Sequence, residues 1–207
     1  DAQESRGLGD VYKRQAEADA AFAATGPDSI AKFLFTSGST KLPKAVITTQ
    51  RMLCANQQML LQTFPVFGEE PPVLVDWLPW NHTFGGSHNV GIVLYNGGSF
   101  YLDDGKPTAQ GFAETLRNLK EISPTAYLTV PKGWEELVNA LEQDAELREC
   151  FFKRMSLFFF AAAGLSQSVW DRLDRVAEQH CGERIRMMAG LGTVSYTHLT
   201  LPTKRIV

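Results

Sequence analysis

The sequence has few cysteines, no excess of positive charge and no long hydrophobic run. Its three cysteines, Cys54, Cys150 and Cys181, match neither a CxxC nor a Cys/His zinc spacing, which favours a reducing compartment such as the cytoplasm over a disulfide framework. The formal net charge of −3 gives no electrostatic support for nucleic-acid binding. The longest strongly apolar run, residues 157–165, is far too short to span a bilayer. We therefore expect neither a nucleic acid nor a membrane as a partner.

Two segments near the ends of the chain resemble translated sequencing adapters. Residues 5–15 read SRGLGDVYKRQ and residues 194–203 read VSYTHLTLPT, and each matches, in frame, an adapter that transposase-based library kits attach to one end of an insert. We therefore expect residues 1–15 and 193–207 to be adapter-derived, with residues 1–15 disordered. Residues 16–192 are then expected to form part of one domain of a longer protein, with 15 basic and 20 acidic residues.

Short apolar runs alternate with longer amphipathic stretches, a pattern typical of an α/β fold in which helices pack on sheets. The predicted strands are residues 32–36, 73–78, 99–102, 126–130, 156–162 and 185–189. The predicted helices are residues 50–63, 84–96, 109–121, 133–153 and 167–180, with a break allowed in the fourth. Gly97 is placed to end the second helix in a left-handed conformation, and Ser166 to cap the last one.

A loop rich in hydroxyl side chains follows the first predicted strand. It consists of Thr36, Ser37, Gly38, Ser39 and Thr40, followed by Pro43 and Lys44, in the string TSGSTKLPKAV. Backbone N–H groups and hydroxyls in such a loop can converge on phosphate oxygens, while a lysine supplies positive charge. The spacing is not that of a Walker loop, GxxxxGK[ST]. Taken alone, the string is equally compatible with an ordinary Ser/Thr-rich turn made rigid by Pro43.

Histidines supply further candidate site residues. Pro79 begins a turn after the strand predicted at 73–78, and His82 follows in the string LPWNHTFGG. Because open α/β sheets bind ligands at the carboxyl ends of their strands, His82 is well placed for a site. His88 is a weaker candidate of the same kind. His180 lies at a predicted helix end, where its charged form would interact favourably with the helix dipole.

Other chemistry has little support in the sequence. Asp103 and Asp104 could act as acid/base groups or metal ligands, but a solvated turn before Gly105 is the simpler interpretation. The sequence has no GxSxG elbow, no HExxH helix and no EF-hand loop. No metal-ligand set is therefore assigned.

Two more strings follow the last two predicted strands. FFFAAAGL places Ala162 and Ala163 after a buried strand, where small residues let a flat ligand approach the backbone; close packing between a helix and the strand would explain them equally well. The string MMAGLG ends with Gly190, Leu191 and Gly192.

These four strings resemble, in the same order, the core motifs of the adenylate-forming superfamily, which includes acyl-CoA synthetases, luciferases and peptide-synthetase adenylation domains. The loop is similar to the phosphate-binding pattern [ST][ST]G[ST]TGxPKG, with Lys41 and Ala45 in place of two glycines. The resemblance implies that the hydroxyl-rich loop and Lys44 bind ATP, and that His82 lies beside the acyl carboxylate and the adenylate. It also implies that the turn with Ala162 and Ala163 lines the adenine and acyl pocket, and that Leu191 takes the aromatic position that stacks near adenine. His82 and Lys44 are the implied catalytic residues.

The resemblance also implies a fold and a reaction. The fold is part of the large N-terminal domain of these ligases, with mixed sheets packed with helices, so residues 16–192 would be a partial AMP-binding domain. The reaction is ATP-dependent formation of an acyl-adenylate and then an acyl-CoA, with ATP, Mg²⁺ and CoA as cofactors or substrates.

Two strings indicate a narrower class of acid substrate. DWLPWNHTFGG and LYNGGSFYLDDGKP are most similar to bacterial feruloyl-CoA synthetases, which activate hydroxycinnamic acids. A ligase for another aryl or fatty acid, a phosphate-binding module without catalysis and a non-functional fragment remain alternatives. Because the family's ribose-binding aspartate, hinge and C-terminal domain would lie beyond this sequence, we expect the 207-residue chain alone to be inactive.

Overall fold

Residues 14–36, 44–108 and 110–190 are described by a computed structural model, without the side chains of Thr36 and Lys44. The first helix, α1 (Gln15–Ala24), buries no side chain, and its high alanine content accounts for its helical conformation. Arg14 is the N-cap residue of this helix. The described residues thus include Arg14 and Gln15, the last two of the segment predicted to be adapter-derived, and residues 1–13 lie outside them.

A hairpin precedes the main sheets. Strands β1 (Ile30–Thr36) and β2 (Lys44–Thr49) pair antiparallel, with Thr36 opposite Lys44 and Phe33 opposite Ile47. Strand β2 was not predicted. Phe33, Phe35 and Ile47 are 52%, 69% and 52% exposed, so one face of the hairpin is largely apolar and open.

Five parallel-paired strands follow. Strands β3 (Val73–Asp76) and β4 (Ser99–Leu102) pair with each other, and β5 (Ala126–Thr129), β6 (Leu157–Ala161) and β7 (Arg186–Gly190) form a second group in that order. The two groups meet at Thr125, whose N–H donates to the Val73 carbonyl at 3.0 Å and whose Oγ1 accepts from the Val73 N–H at 2.9 Å. All five strands were predicted, with bounds that differ by at most two residues.

Helices connect the strands. They are α2 (Gln50–Thr63), α3 (Val66–Glu69), a π-helix (Phe84–Asn89) that continues into α4 (Val90–Asn96), α5 (Phe112–Glu121), α6 (Pro131–Gln143), α7 (Ala145–Phe152) and α8 (Gln167–Cys181). The break allowed in the fourth predicted helix falls at Asp144, which accepts a hydrogen bond from the Leu147 N–H at 3.0 Å. Ser166 caps α8 by accepting from the Val169 N–H, and Gly97 ends α4 with φ 66°. None of the described helices has the length and apolarity needed to cross a membrane.

The three strands β3, β5 and β6 bury side chains on both faces, as expected for strands covered by helices, whereas β4 and β7 are largely exposed. One face contributes Val75, Tyr127, Phe158 and Phe160 to a core that includes residues of α5, α6, α7 and α8. The other contributes Leu74, Leu128, Leu157 and Phe159 to a core with Phe64, Phe67 and residues of the π-helix and α4. The architecture is therefore a three-layer α/β arrangement, and its second core lies directly beneath the His82 turn.

The buried Trp134 provides a test of the first core. It is fully buried, packs against Tyr127 and Phe158, and donates from Nε1 to the Phe159 carbonyl at 3.2 Å. We expect Trp134→Ala to lower the free energy of unfolding by about 3–5 kcal/mol, because it leaves a large cavity. Urea denaturation measures the change. The matched control is Trp80→Ala, since Trp80 is 54% exposed, and equal losses in the two variants would contradict the described core.

Candidate functional site

The predicted phosphate loop is closed by a backbone pair. Thr36 and Lys44 lie directly opposite each other in the hairpin, so the residues between them form its connecting loop. Ser37, Gly38, Ser39 and Thr40 lie outside the described residues, as do Lys41 and Pro43. The structure therefore fixes where the backbone of this loop begins and ends.

A lysine connects this hairpin to the His82 segment. Lys32 Nζ donates to the Gly86 carbonyl oxygen at 3.0 Å, and partial burial lowers the pKa of the Lys32 ammonium. The sequence contained no signal for this contact, because the two residues are 54 positions apart. It places the hairpin that carries the loop against the first turn of the π-helix.

His82 is exposed at the carboxyl end of β3, as predicted. Its backbone N–H donates to the Pro79 carbonyl at 3.1 Å, and its carbonyl accepts from the Gly86 N–H at 2.8 Å. Its Nδ1 lies 3.2 Å from the Phe84 N–H and accepts from it. A neutral imidazole that accepts through Nδ1 carries its proton on Nε2. His82 is thereby oriented to donate a hydrogen bond through Nε2.

Two glycines allow the π-helix to lie against the turn that precedes it. A Cβ atom on Gly86 would stand 1.8 Å from the Trp80 carbonyl oxygen, and one on Gly85 would stand 2.7 Å from the Pro79 oxygen. Both distances are far below van der Waals contact with backbone atoms that cannot rotate away. The glycine pair in the string HTFGG is therefore required for the position of His82.

Asp76, which ends β3, organises the same turn and was missed in the sequence. Its Oδ1 accepts from the Leu78 N–H and its Oδ2 from Asn89 Nδ2, both at 2.8 Å. Burial raises the pKa of Asp76 to about 6, with a smaller contribution from the charge of Asp103, and the two hydrogen bonds oppose this shift. A single aspartate after an apolar strand belongs to no motif, so the sequence did not indicate that Asp76 is buried and organises the turn.

Asp103 is buried, which corrects the prediction of a solvated turn. It is 7% exposed; Oδ2 accepts from Thr115 Oγ1 at 2.6 Å, and Oδ1 accepts from the Gly105 N–H and from Asn118 Nδ2. These hydrogen bonds connect the end of β4 to α5, so the Asp103 carboxylate has a structural role. Asp104 is exposed, as predicted.

The small-residue turn after β6 is exposed at the edge of the sheet. Ala162 has φ 80°, the left-handed region that side chains rarely adopt, and Ala163 and Gly164 are also exposed. Ala161 pairs with Gly190 of β7. Leu191 and Gly192 lie outside the described residues. The turn therefore presents backbone and methyl groups to solvent at the carboxyl end of β6.

The Phe159 ring joins these segments. It stacks on His88 with centroids 4.9 Å apart and lies 5.8 Å from Phe84, while a Cβ on Gly190 would stand 2.3 Å from its Cζ. The structure thus brings together the π-helix that follows His82 and the strands that carry the two small-residue strings.

A separate cleft of about 340 Å³ lies among α6, α7 and α8. It is lined by Leu141, Glu142, Arg148, Arg175, Val176, Gln179 and His180. Arg148 donates to the Leu141 carbonyl, and Glu142 is bonded to Arg172. Of the histidines considered above, it contains His180, which lies in the last turn of α8 as predicted. His82 is not among the residues that line it.

Comparison with known proteins identifies relatives of this arrangement. The family profile described as AMP-binding enzyme matches residues 2–193. The chain is 27% identical over 176 residues to the peroxisomal long chain acyl-CoA synthetase 6 of Arabidopsis thaliana, covering 78% of this chain and 23% of that protein. It is 30% identical over 113 residues to the medium-chain-fatty-acid–[acyl-carrier-protein] ligase TtuA of Teredinibacter turnerae, covering 55% and 14% of the two chains.

Solved structures share the fold. A malonyl-CoA ligase in a ternary product complex with methylmalonyl-CoA and AMP aligns with a TM-score of 0.63 at 24% identity, covering 80% of this chain and 34% of that one. ATP-bound MatB from Rhodopseudomonas palustris aligns with a TM-score of 0.58 at 24% identity, covering 80% and 30%. These likenesses confirm the predicted fold class, the mixed α/β fold of the N-terminal domain of adenylate-forming ligases. The chain spans between 14% and 34% of the lengths of these four proteins.

The close approach at Gly86 gives a stability prediction. We expect Gly86→Ala to lower the free energy of unfolding by about 1–3 kcal/mol, because the added methyl overlaps the Trp80 backbone. Gly164→Ala is the matched control, since no atom lies within 4 Å of a Cβ there and both variants restrict the unfolded chain equally. Urea denaturation compares the two, and a Gly86 variant as stable as the control would contradict the described packing.

The buried Asp76 gives a pH prediction. Its pKa of about 6 in the folded chain exceeds the ordinary value of 3.8, so the folded state holds this proton more tightly than the unfolded chain. The stability from protonated Asp76 is present below about pH 4 and is lost as the pH rises to about 6.

Carbon-13 NMR of the side-chain carboxyls measures this titration directly. We expect a midpoint near pH 6 for Asp76. Asp144 is the control, because its hydrogen bond to Lys120 lowers the pKa of its carboxyl. A midpoint at or below 3.8 for Asp76 would show that water reaches the carboxylate.

Proposed function

Because this chain belongs to the family of AMP-binding enzymes, we propose that it is the ATP-binding and acid-binding part of an ATP-dependent carboxylate–CoA ligase. In this proposal the carboxylate attacks the α-phosphate of ATP to give an acyl-adenylate and pyrophosphate. The CoA thiol then attacks the acyl carbon, which gives the thioester and releases AMP.

One structural observation carries the proposal: three separate segments meet at one edge of the sheet. Lys32 holds the loop-bearing hairpin against Gly86, and Phe159 contacts both His88 and the Gly190 position. Ligands of open α/β sheets bind at this edge. A phosphate loop, a histidine donor and a turn of small residues would therefore face the same ligand.

The residues at this edge suit the charges of the reaction. His82 Nε2–H would donate to an oxygen of the carboxylate or the α-phosphate, where negative charge must be accommodated during transfer. Thr36, the hydroxyl-rich loop that follows it and Lys44 would contact the phosphates. Ala162 and Ala163, with Gly190, Leu191 and Gly192, would line the adenine and acyl pocket.

We assign Mg²⁺ to the phosphates of ATP rather than to a protein cage. Among the described residues, no three His, Cys, Asp or Glu side chains group closely enough to hold a metal ion. Octahedral Mg²⁺ commonly retains water and binds through substrate phosphates, with one or two carboxylates. It would supply charge neutralisation on those phosphates when bound.

The proposed acid is a hydroxycinnamic acid such as ferulate. The support is the similarity of DWLPWNHTFGG and LYNGGSFYLDDGKP to bacterial feruloyl-CoA synthetases. A fatty acid is the second candidate, because the Arabidopsis and Teredinibacter relatives are named for long-chain and medium-chain fatty acids. Cys54, Cys150 and Cys181 are free thiols, which supports the proposed cytoplasmic location. The net charge of −3 and the short apolar runs support the proposal that neither a nucleic acid nor a membrane is a partner.

Carboxylate-dependent exchange of pyrophosphate into ATP tests the function in the complete ligase, meaning a chain of the relatives' length that carries residues 16–192. We expect exchange with ferulate above that with octanoate or palmitate. A reversed preference would replace hydroxycinnamate by fatty acid, and ATP binding without exchange for any acid would reduce the protein to a phosphate-binding module. The 207-residue chain alone is expected to give no exchange with ferulate.

His82 provides the sharper prediction in the same assay. We expect His82→Ala to lower kcat for exchange about 10²–10³-fold, the usual loss when one hydrogen-bond donor to developing charge is removed. The matched control is His180→Ala, because His180 lies in the last turn of α8 and lines the separate cleft. Equal rates for the His82 variant and the control would contradict the proposed role of His82 in the reaction.

A further inference from the structure

We propose that Asp76 and Asn89 fix the His88 ring with its proton on Nδ1, so that His88 Nε2 accepts a hydrogen bond from a hydroxyl group of the bound acid. His88 would then select acids that carry a hydroxyl donor, such as the phenolic group of a hydroxycinnamate. This inference rests on the proposed ligase function, because it concerns the acid bound at that site.

The first step of the argument is the direction of the hydrogen bonds. Asp76 as a carboxylate can only accept, so the Asn89 atom 2.8 Å from its Oδ2 must be the amide nitrogen. The Asn89 oxygen is then the atom 2.9 Å from His88 Nδ1. An oxygen acceptor requires a proton on that ring nitrogen. Asn89 is fully buried, so water cannot reverse this order.

The second step concerns the charge of the ring. Burial lowers the pKa of His88, against the raising effect of its bond to Asn89, and the ring stacks on Phe159. His88 is therefore neutral near pH 7. With its proton on Nδ1, its Nε2 carries a lone pair and is an acceptor.

The third step concerns access to Nε2. Within the described part of the chain, the one hydrogen bond of this ring is the contact between Nδ1 and Asn89. His88 is partly exposed, and no described atom forms a hydrogen bond with its Nε2. Nε2 lies on the side of the ring away from Nδ1 and hence away from buried Asn89.

The fourth step places this acceptor in the site. His88 follows His82 by six residues through the π-helix, and its ring covers the Phe159 ring that also meets Gly190. His82 would present a donor to the carboxylate end of the acid, and His88 an acceptor to a different group. The two histidines therefore have opposite hydrogen-bonding roles, each set by the partner of its Nδ1.

Nitrogen-15 NMR of the histidine rings in the 207-residue chain tests the tautomer. We expect His88 to carry its proton on Nδ1 in the unaltered chain at about pH 7.5, well above the ordinary pKa of histidine. In Asp76→Asn, the Asn89 amide can rotate to offer its oxygen to the introduced amide, which turns the Asn89 NH₂ toward His88 and moves the ring proton to Nε2. Asp103→Asn is the matched control, because Asp103 is also buried but bonds to Thr115 and Asn118. A proton on Nε2 of the unaltered chain would overturn the inference, whether or not either variant folds.

Kinetics of the complete ligase test the selectivity. The measured quantity is the ratio of kcat/KM for 4-hydroxycinnamate to that for cinnamate, so that general losses of activity cancel within each variant. His88→Phe keeps an aromatic ring on Phe159 but removes the acceptor, and we expect the ratio to fall about tenfold, as for the loss of one neutral hydrogen bond. His88→Gln retains an acceptor oxygen and should restore part of the ratio. Tyr95→Phe is the control, since it removes a hydroxyl that bonds exposed Gln58.

The outcomes separate the two proposals. An unchanged ratio in His88→Phe would overturn the inference while leaving the ligase function intact, and so would exchange with fatty acids but not with either cinnamate. If His88→Phe is inactive with both acids, their equilibrium dissociation constants give the same ratio. Absence of exchange with every acid in the unaltered ligase would instead overturn the proposed function, and this inference with it.

Discussion

The desolvated carboxyl group of Asp76 is the constraint around which this edge of the domain is arranged. A carboxylate removed from water requires hydrogen-bond donors, and a missing donor costs far more than the net gain from one bond. The Leu78 N–H and the Asn89 amide meet this requirement, while the Asp76 carbonyl accepts from the Asp103 N–H at 3.0 Å. The turn after β3, the π-helix and the end of β4 are therefore held in one arrangement.

Close packing at three glycines positions the remaining segments of this edge. Gly85 and Gly86 let the π-helix lie against the turn at Pro79 and Trp80, and Gly190 lets the Phe159 ring lie close to β7. At these three positions a Cβ atom would overlap neighbouring atoms, so the packing requires glycine. Phe159 fills the space so made and contacts Phe64, Phe84 and His88, which joins segments that are far apart in the sequence.

The sequence predicted elements whose signal is local, and it missed features that depend on distant contacts. Strands β3, β5 and β6 were found because burial on both faces makes them continuous apolar runs, and the π-helix region was found as part of an apolar helical stretch. Strand β2 was missed because its first residue, Lys44, also belongs to the motif that was interpreted as a phosphate loop. Asp76 and Asp103 were missed as buried groups because burial of a carboxylate depends on Asn89, Thr115 and Asn118, which are reached only through the fold. Of the predicted site residues, Ser37, Gly38, Ser39, Thr40, Leu191 and Gly192 lie outside the described residues, so their roles stay predictions.

The exposed apolar face of the β1–β2 hairpin affects the nucleotide affinity expected for the proposed ligase. Two-stranded sheets are marginally stable in water, and Phe33, Phe35 and Ile47 remain half or more exposed, so the hairpin gains little free energy from burial. Segments of this kind open locally at a lower free energy than the core. A nucleotide that binds only the closed hairpin has an apparent dissociation constant equal to its intrinsic value divided by the closed fraction. Affinity for ATP would thus report local opening of the hairpin as well as contact with the phosphates.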